Sequence, residues 1–70
     1  MSSAARRAAI LDIRTIADEL VELARREDKM IKEIKELCFD VELSENQQKH
    51  PARFRARAKR LQEAANALSD

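Results

Sequence analysis

The fold is decided by residues 13–41, which read IRTIADELVELARREDKMIKEIKELCFDV. Apolar residues recur in this stretch at alternating steps of three and four, with Glu27 as the one polar residue in the series: Ile13, Ile16, Leu20, Leu23, Glu27, Met30, Ile34, Leu37 and Val41. These are the steps between the a and d positions of a heptad, which lie along one side of an α-helix. The pattern therefore predicts one long amphipathic helix.

A second apolar column runs beside the first, at the e positions of the same heptads. It consists of Ile10, Ala17, Ala24, Ile31 and Cys38. Together the a, d and e columns form a stripe wider than a two-stranded coiled-coil seam, and such a stripe is typical of a helix packed against several neighbours in a bundle. We expect this first helix to span about residues 4–42. Because the charged residues 25–29 interrupt the stripe, a kink there, giving three helices, is the alternative.

Breaks in the chain are few, because the sequence has no glycine and a single proline, Pro51. The polar and aperiodic residues 43–50 are predicted to be a connection. Pro51 suits the first turn of a following helix, where its missing N–H costs nothing. A second seam predicts that this helix spans about residues 51–68. Its members are Phe54, Ala58, Leu61, Ala65 and Leu68. We therefore expect residues 1–70 to form a single all-α domain, a hairpin of a long helix, a turn and a shorter helix.

The two predicted helices differ in apolar content, since the seam of the second is largely alanine. A hairpin would leave much of the first helix's stripe uncovered, and exposed apolar patches of that size are rare on soluble monomers. We therefore expect a homodimer, a four-helix bundle in which the long helices pair, either parallel or antiparallel. The expected interface residues are Ile13, Ile16, Leu20, Leu23, Glu27, Met30, Ile34 and Leu37.

Glu27 occupies a position in this seam where an apolar residue is expected. Polar residues at a positions often fix register or oligomeric state at some cost in stability. In an antiparallel pair, Glu27 would lie near its symmetry mate, where Arg25 or Arg26 of the second copy could pair with it. The other interpretation is that the seam opens at this point and Glu27 reaches solvent.

Positive charge is concentrated in the first half of the second predicted helix. Between residues 49 and 60 there are six basic residues, one histidine and no acid. The candidate anion or nucleic-acid contacts are Lys49, Arg53, Arg55, Arg57, Lys59 and Arg60. Cations near a helix N-terminus are disfavoured by the helix dipole, so we expect something to compensate them. One hypothesis is the acidic flank of the first helix, made of Glu33, Glu36, Asp40 and Glu42. The other is the phosphate backbone of DNA or RNA.

The sequence lacks the groups that catalysis or metal binding needs. There is one histidine, His50, and one cysteine, Cys38, which falls on the predicted core stripe, where a thiol behaves as a small hydrophobe. The absence of glycine excludes Gly-rich phosphate loops. We therefore expect no enzyme activity, catalytic residue, cofactor, metal site or small-molecule substrate. A lone thiol, no secretory signal and no long apolar run favour a cytoplasmic protein that does not enter membranes.

These features point to a small, non-enzymatic regulatory or interaction module that binds another protein as a homodimer. Its binding surface is expected on the apolar area around Ile10, Ile13, Leu20 and Val21 or on the basic half of the second helix. The alternative is a dimer that binds nucleic-acid backbone through the same basic residues. Such binding would not read sequence, because backbone contacts carry no base information.

Overall fold

The computed structural model describes residues 2–37 and 42–69, and it folds as a hairpin of two helices. Helix α1 spans Ser3–Leu37 and helix α2 spans Glu45–Ser69, with no strand in the described ranges. The helices run antiparallel, because Arg14 lies opposite Asn66 and Asp28 lies opposite Arg55. The predicted all-α helical hairpin is therefore confirmed.

Helix α1 is continuous through residues 25–29, so the three-helix alternative is wrong. Its N-terminus is capped by Ser2, whose Oγ accepts a hydrogen bond from the Ala5 N–H at 3.1 Å. The described part of α1 extends to Leu37, and Glu42 is not helical. The predicted end at residues 38–41, with the stripe residues Cys38 and Val41, lies outside the described residues.

Helix α2 begins at Glu45, well before the predicted start at Pro51. The cause is a capping box across Ser44 and Gln47. The Ser44 Oγ accepts from the Gln47 backbone N–H at 3.2 Å, and the Gln47 Oε1 accepts from the Ser44 N–H at 3.2 Å. Most of the predicted connection, 43–50, is therefore the first turns of α2. The sequence Ser-Glu-Asn-Gln carried this signal, because Ser followed three residues later by Gln marks a helix start.

Pro51 consequently lies inside α2 instead of at its first turn. A proline at this point cannot donate to the carbonyl of Gln47, four residues earlier. Its ring is buried in the hairpin seam. The chain thus accepts one missing helical hydrogen bond in exchange for an apolar contact between the helices.

The core of the hairpin is a seam made mainly of alanine. Ala17, Ala24, Ala58 and Ala65 are 0–1% exposed, and Ile10 is 9% exposed. Among the described residues no large side chain is fully buried. Small residues at the contact let two helices approach toward the lower end of the usual interaxial range of about 8–10 Å. We call these four residues the alanine seam.

The hairpin is a rod and not a globule. Its principal extents are 55 × 15 × 13 Å and its radius of gyration is 16.4 Å. A compact chain of this length has a radius of gyration of about 11 Å. Two helices side by side leave each helix open over most of its circumference, so the larger apolar side chains of α1 cannot all be covered.

Replacing Ala58 by leucine should destabilise the hairpin by about 1–3 kcal/mol, because the added atoms have no space between closely packed helices. The measurement is urea unfolding followed by circular dichroism at fixed protein concentration. Ala56→Leu is the matched control, since Ala56 is exposed on the same helix, and it should change stability by less than about 0.5 kcal/mol. Equal effects of the two changes would contradict the alanine seam.

Removing the α2 cap with Ser44→Ala should cost about 1 kcal/mol in the same unfolding assay, because the Gln47 N–H loses its acceptor. Ser44→Asp keeps a capping oxygen and should stay close to the wild-type stability. If alanine and aspartate behaved alike, the capping box would not be what starts α2 at Glu45.

Candidate interaction surfaces

One side of the hairpin is polar and tied together across the two helices. The Arg55 guanidinium is paired with the Asp28 carboxylate, and each side chain is half exposed. On the same side, an Arg14 guanidinium N–H donates to the Asn66 Oδ1 at 3.5 Å. A half-exposed ion pair such as Arg55 with Asp28 contributes up to about 1 kcal/mol. We call this side the polar edge.

The opposite side carries an exposed column of large apolar residues on α1. Its exposed fractions are 48% for Ile16, 44% for Leu23, 48% for Met30 and 81% for Leu37. These four residues recur every seven positions, so they form one line along the helix. We call them the apolar column. They are the d positions of the sequence pattern, and α2 does not cover them.

The structure divides the predicted dimer interface into two groups. Ile13, Leu20, Glu27 and Ile34 are half-buried at the margin of the contact with α2. The e column forms the centre of that contact, with Ala17 and Ala24 fully buried. Of the eight predicted interface residues, the four in the apolar column are the ones that remain exposed to a partner.

The partner surface expected around Ile10, Ile13, Leu20 and Val21 is not a single exposed area. Ile10 is buried at 9% exposure, while Ile13 and Leu20 are half-buried. Val21 is 44% exposed, but it lies toward the polar edge, away from the apolar column. Helix geometry separates these residues because one turn takes 3.6 residues.

Three of the six candidate basic residues line one groove on α2. Arg53, Arg57 and Arg60 are spaced by four and three residues and border this groove with His50 and Phe54. The two aromatic rings lie 6.0 Å apart at an interplanar angle of 37°. We call the three arginines the arginine row. His50 also borders the groove that contains Met30, so the row and the apolar column lie on the same side of the hairpin.

The other three basic residues are placed differently. The Lys49 Nζ pairs with the Glu45 Oε1 of its own helix at 2.7 Å. Arg55 pairs with Asp28 on the polar edge. Lys59 is exposed and does not border the groove of the arginine row.

Among the described residues, Arg55 is the one candidate basic residue that pairs with an acid of α1. Within residues 2–37 and 42–69, no ion pair joins the arginine row to Glu33, Glu36 or Glu42. Asp40, the fourth expected partner, lies outside the described residues. The arginine row thus keeps its charge toward solvent in the described part of the hairpin.

The early start of α2 also changes the electrostatics of the basic residues. Glu45 occupies the first turn, where the helix dipole favours an acid. The arginine row lies two or more turns further along, beyond the range over which the dipole acts strongly. The expected dipole penalty on these arginines therefore does not arise, because it assumed that α2 begins at Pro51.

Glu27 is half-buried and borders a groove near the turn of the hairpin. The other residues of this groove are Met30, Ile31, Ile34, Leu43, Gln47 and His50. Glu27 makes no ion pair within the described ranges. Its carboxylate thus stands beside mainly apolar walls, in a groove that is open to solvent.

The arginines before Glu27 are held by a different acid of α1. Glu22 pairs with Arg25 at 2.8 Å and with Arg26 at 3.5 Å. The hydrogen bond from Arg25, together with the charges of both arginines, lowers the pKa of Glu22. The ionised pair therefore favours the folded helix at neutral pH, and this contribution is lost as the pH falls through the lowered pKa.

A cluster of metal-ligating side chains is not found in the part of the chain that the structure describes. There, no three His, Cys, Asp or Glu side chains form a cluster suited to a metal ion. Neither described helix has the length and apolar character needed to cross a bilayer.

No family model, curated protein or solved structure matches the chain.

Glu27→Leu should raise the free energy of unfolding by about 1 kcal/mol, because a half-buried leucine gains part of the 1.5–3 kcal/mol of a fully buried one. It should also broaden the distribution of oligomers if Glu27 sets register. Urea unfolding and sedimentation velocity measure the two effects. Glu33→Leu, at an exposed position of the same helix, is the control. A Glu27→Leu protein with wild-type stability and assembly would mean that Glu27 is simply solvated.

Proposed function

We propose that this chain is a small, non-enzymatic interaction module that binds protein through the apolar column. The first protein that the column binds is a second copy of the chain, so the module is a homodimer. The observation that supports this most directly is the exposure of Ile16, Leu23, Met30 and Leu37 along one line of α1. Isolated exposed apolar residues are ordinary on protein surfaces, whereas a contiguous line of them is typical of an interface.

The accessible surface of the chain supports association independently. It is 5700 Å² for 8.0 kDa, whereas a compact folded monomer of that mass exposes about 4,500 Å². The difference, about 1,200 Å², exceeds the roughly 800 Å² that each partner buries in a standard stable interface. The single hairpin therefore exposes enough additional surface, relative to a compact monomer, to form one standard interface.

A second copy of the chain fits the apolar column better than a helix of arbitrary sequence. The column extends from Ile16 to Leu37, a length of about 32 Å at the rise of an α-helix. Two identical columns can pair as a two-fold interface, in which each residue of one copy meets an apolar residue of the other. The residue spacing of seven suits knobs-into-holes packing between paired helices.

Charge complementarity favours the antiparallel pair. In the antiparallel register that sets Leu23 against Met30, Arg26 of each copy lies level with Glu27 of the other. A parallel pair would instead set Glu27 level with Glu27 and Arg26 level with Arg26, so that each charge is level with a like charge. In the antiparallel register the two Glu27 side chains are also near each other, but each is level with an arginine. The antiparallel register thus gives Glu27 the role in alignment that its position in the seam suggests.

The arginine row restricts how the hairpins stack. The arginine row lies on the same side of the hairpin as the apolar column. A dimer in which both α1 and α2 of one copy packed against the other copy would therefore bury three arginines of each copy. Burying unpaired charges costs several kcal/mol for each ion. Pairing α1 with α1 while α2 stays outside avoids that cost, which agrees with the expected bundle of paired long helices.

A single charge in the apolar column should break the dimer. Leu23→Glu should weaken self-association at least tenfold, because the carboxylate must be desolvated in the interface. Val21→Glu is a matched control, since Leu23 and Val21 are both 44% exposed and Val21 lies toward the polar edge. Sedimentation equilibrium at micromolar protein measures the effect, and circular dichroism checks that both variants remain helical.

The wild-type protein should sediment with twice the mass of the 8.0 kDa chain. A monomeric wild type at micromolar concentration would overturn the homodimer and leave the apolar column to a different protein. Orientation is tested in a Cys38→Ser background by mixing Leu23→Cys and Met30→Cys chains. An antiparallel pair gives the mixed disulfide, whereas a parallel pair gives disulfides between identical chains.

A further inference from the structure

We propose that the arginine row is a binding site for the phosphate backbone of duplex DNA. The row is a second surface on the hairpin, and the dimer through the apolar column does not use it. It stands on α2, which lies outside the paired long helices. DNA binding would be a separate activity from protein binding. It is tested by substitutions in the arginine row and by a DNA-binding measurement, whereas the dimer is tested by sedimentation.

The chemistry of the row suits phosphate. All three members are arginines, whose planar guanidinium groups bind phosphate oxygens through two parallel hydrogen bonds. Residues 49–60 contain no acid, and no acidic residue borders the groove of the row. Within the described residues Arg53, Arg57 and Arg60 make no ion pair, so an anion would not have to displace an existing partner.

The spacing of the row matches the spacing of a nucleic-acid strand. Arg53 and Arg60 are separated by about 10 Å along the axis of α2. Successive phosphates of one strand of B-DNA advance by about 3.4 Å along the duplex axis. Arg53 and Arg60 thus lie about three axial phosphate steps apart when α2 lies parallel to the duplex axis, so each of the three arginines can meet a different phosphate.

The groove favours a duplex over a single strand. Single-strand binding relies on exposed aromatic rings that stack on bases. Among the described residues that border the groove, Phe54 is the one phenylalanine, and it is half-buried. The groove therefore lacks a row of exposed rings on which successive bases could stack. Contacts from the row alone reach phosphates and not base edges, and binding is therefore independent of sequence.

The test is fluorescence anisotropy of a labelled random-sequence DNA duplex titrated with the full chain at several salt concentrations from 50 to 200 mM. One row making three phosphate contacts should give a log–log salt slope of about −3 and weaken binding about 40-fold across that range. The triple variant Arg53→Gln, Arg57→Gln, Arg60→Gln should bind at least tenfold more weakly at 50 mM salt and lose most of the slope.

A matched control removes the same amount of charge elsewhere. Lys29→Gln, Lys32→Gln and Lys35→Gln together neutralise three exposed lysines of α1. This control should keep its affinity within about threefold and its salt slope within about one, because the row is intact. Sedimentation of both triple variants should give the wild-type oligomer, which separates loss of DNA binding from loss of assembly.

Several results would overturn the assignment. One is an absence of duplex binding at 50 mM salt, and another is equal weakening by both triple variants. Preferential binding of duplex RNA would assign the row to RNA instead. Displacement of the DNA by poly-glutamate as efficiently as by unlabelled duplex, at equal charge concentration, would assign the row to an acidic protein segment.

Discussion

The alanine seam is the constraint on which the rest of the structure depends. Ala17 and Ala24 of α1 meet Ala58 and Ala65 of α2 with almost no exposed surface. Small side chains bring the helices close together, but they bury little apolar area, and each buried methylene contributes only about 0.8 kcal/mol. The two helices are therefore closely packed along a narrow line, but the apolar area buried there contributes little free energy to folding.

The narrow alanine seam leaves the two sides of the rod with different surfaces. On the polar edge, pairs such as Arg55 with Asp28 connect the helices at little energetic gain. On the other side the larger apolar residues of α1 stay uncovered beside the arginines of α2. A chain of this size buries only about 60% of its unfolded surface even when compact. The proposed association would cover part of this apolar surface, and the proposed antiparallel pairing would also give Glu27 an arginine partner.

Much of the fold was predictable from the sequence because helix periodicity and breakers are local properties. The steps of three and four from Ile13 to Leu37 predict α1, and the seam from Phe54 to Ala65 predicts the packed face of α2. Leu68, the last member of that predicted seam, is instead 39% exposed. The predicted start of α2 at Pro51 is wrong, because the capping box of Ser44 and Gln47 starts the helix at Glu45. A proline is permitted at a first turn, but it does not define one when a better cap precedes it.

The sequence by itself determined the helices, the width of the apolar stripe and the excess of positive charge in residues 49–60. Only the tertiary structure decided which column of the stripe faces α2. The d and e columns lie about 100° apart around the helix, on either side of the a column, and the apolar periodicity does not say which of them faces α2. The choice fell on the e column, because its alanines at positions 17 and 24 meet the alanines of α2 and permit close approach. With the e column buried, the d column stays exposed and the arginine row of α2 lies on the same side of the hairpin. Packing against α2, and not the apolar periodicity, therefore selects the buried face of α1.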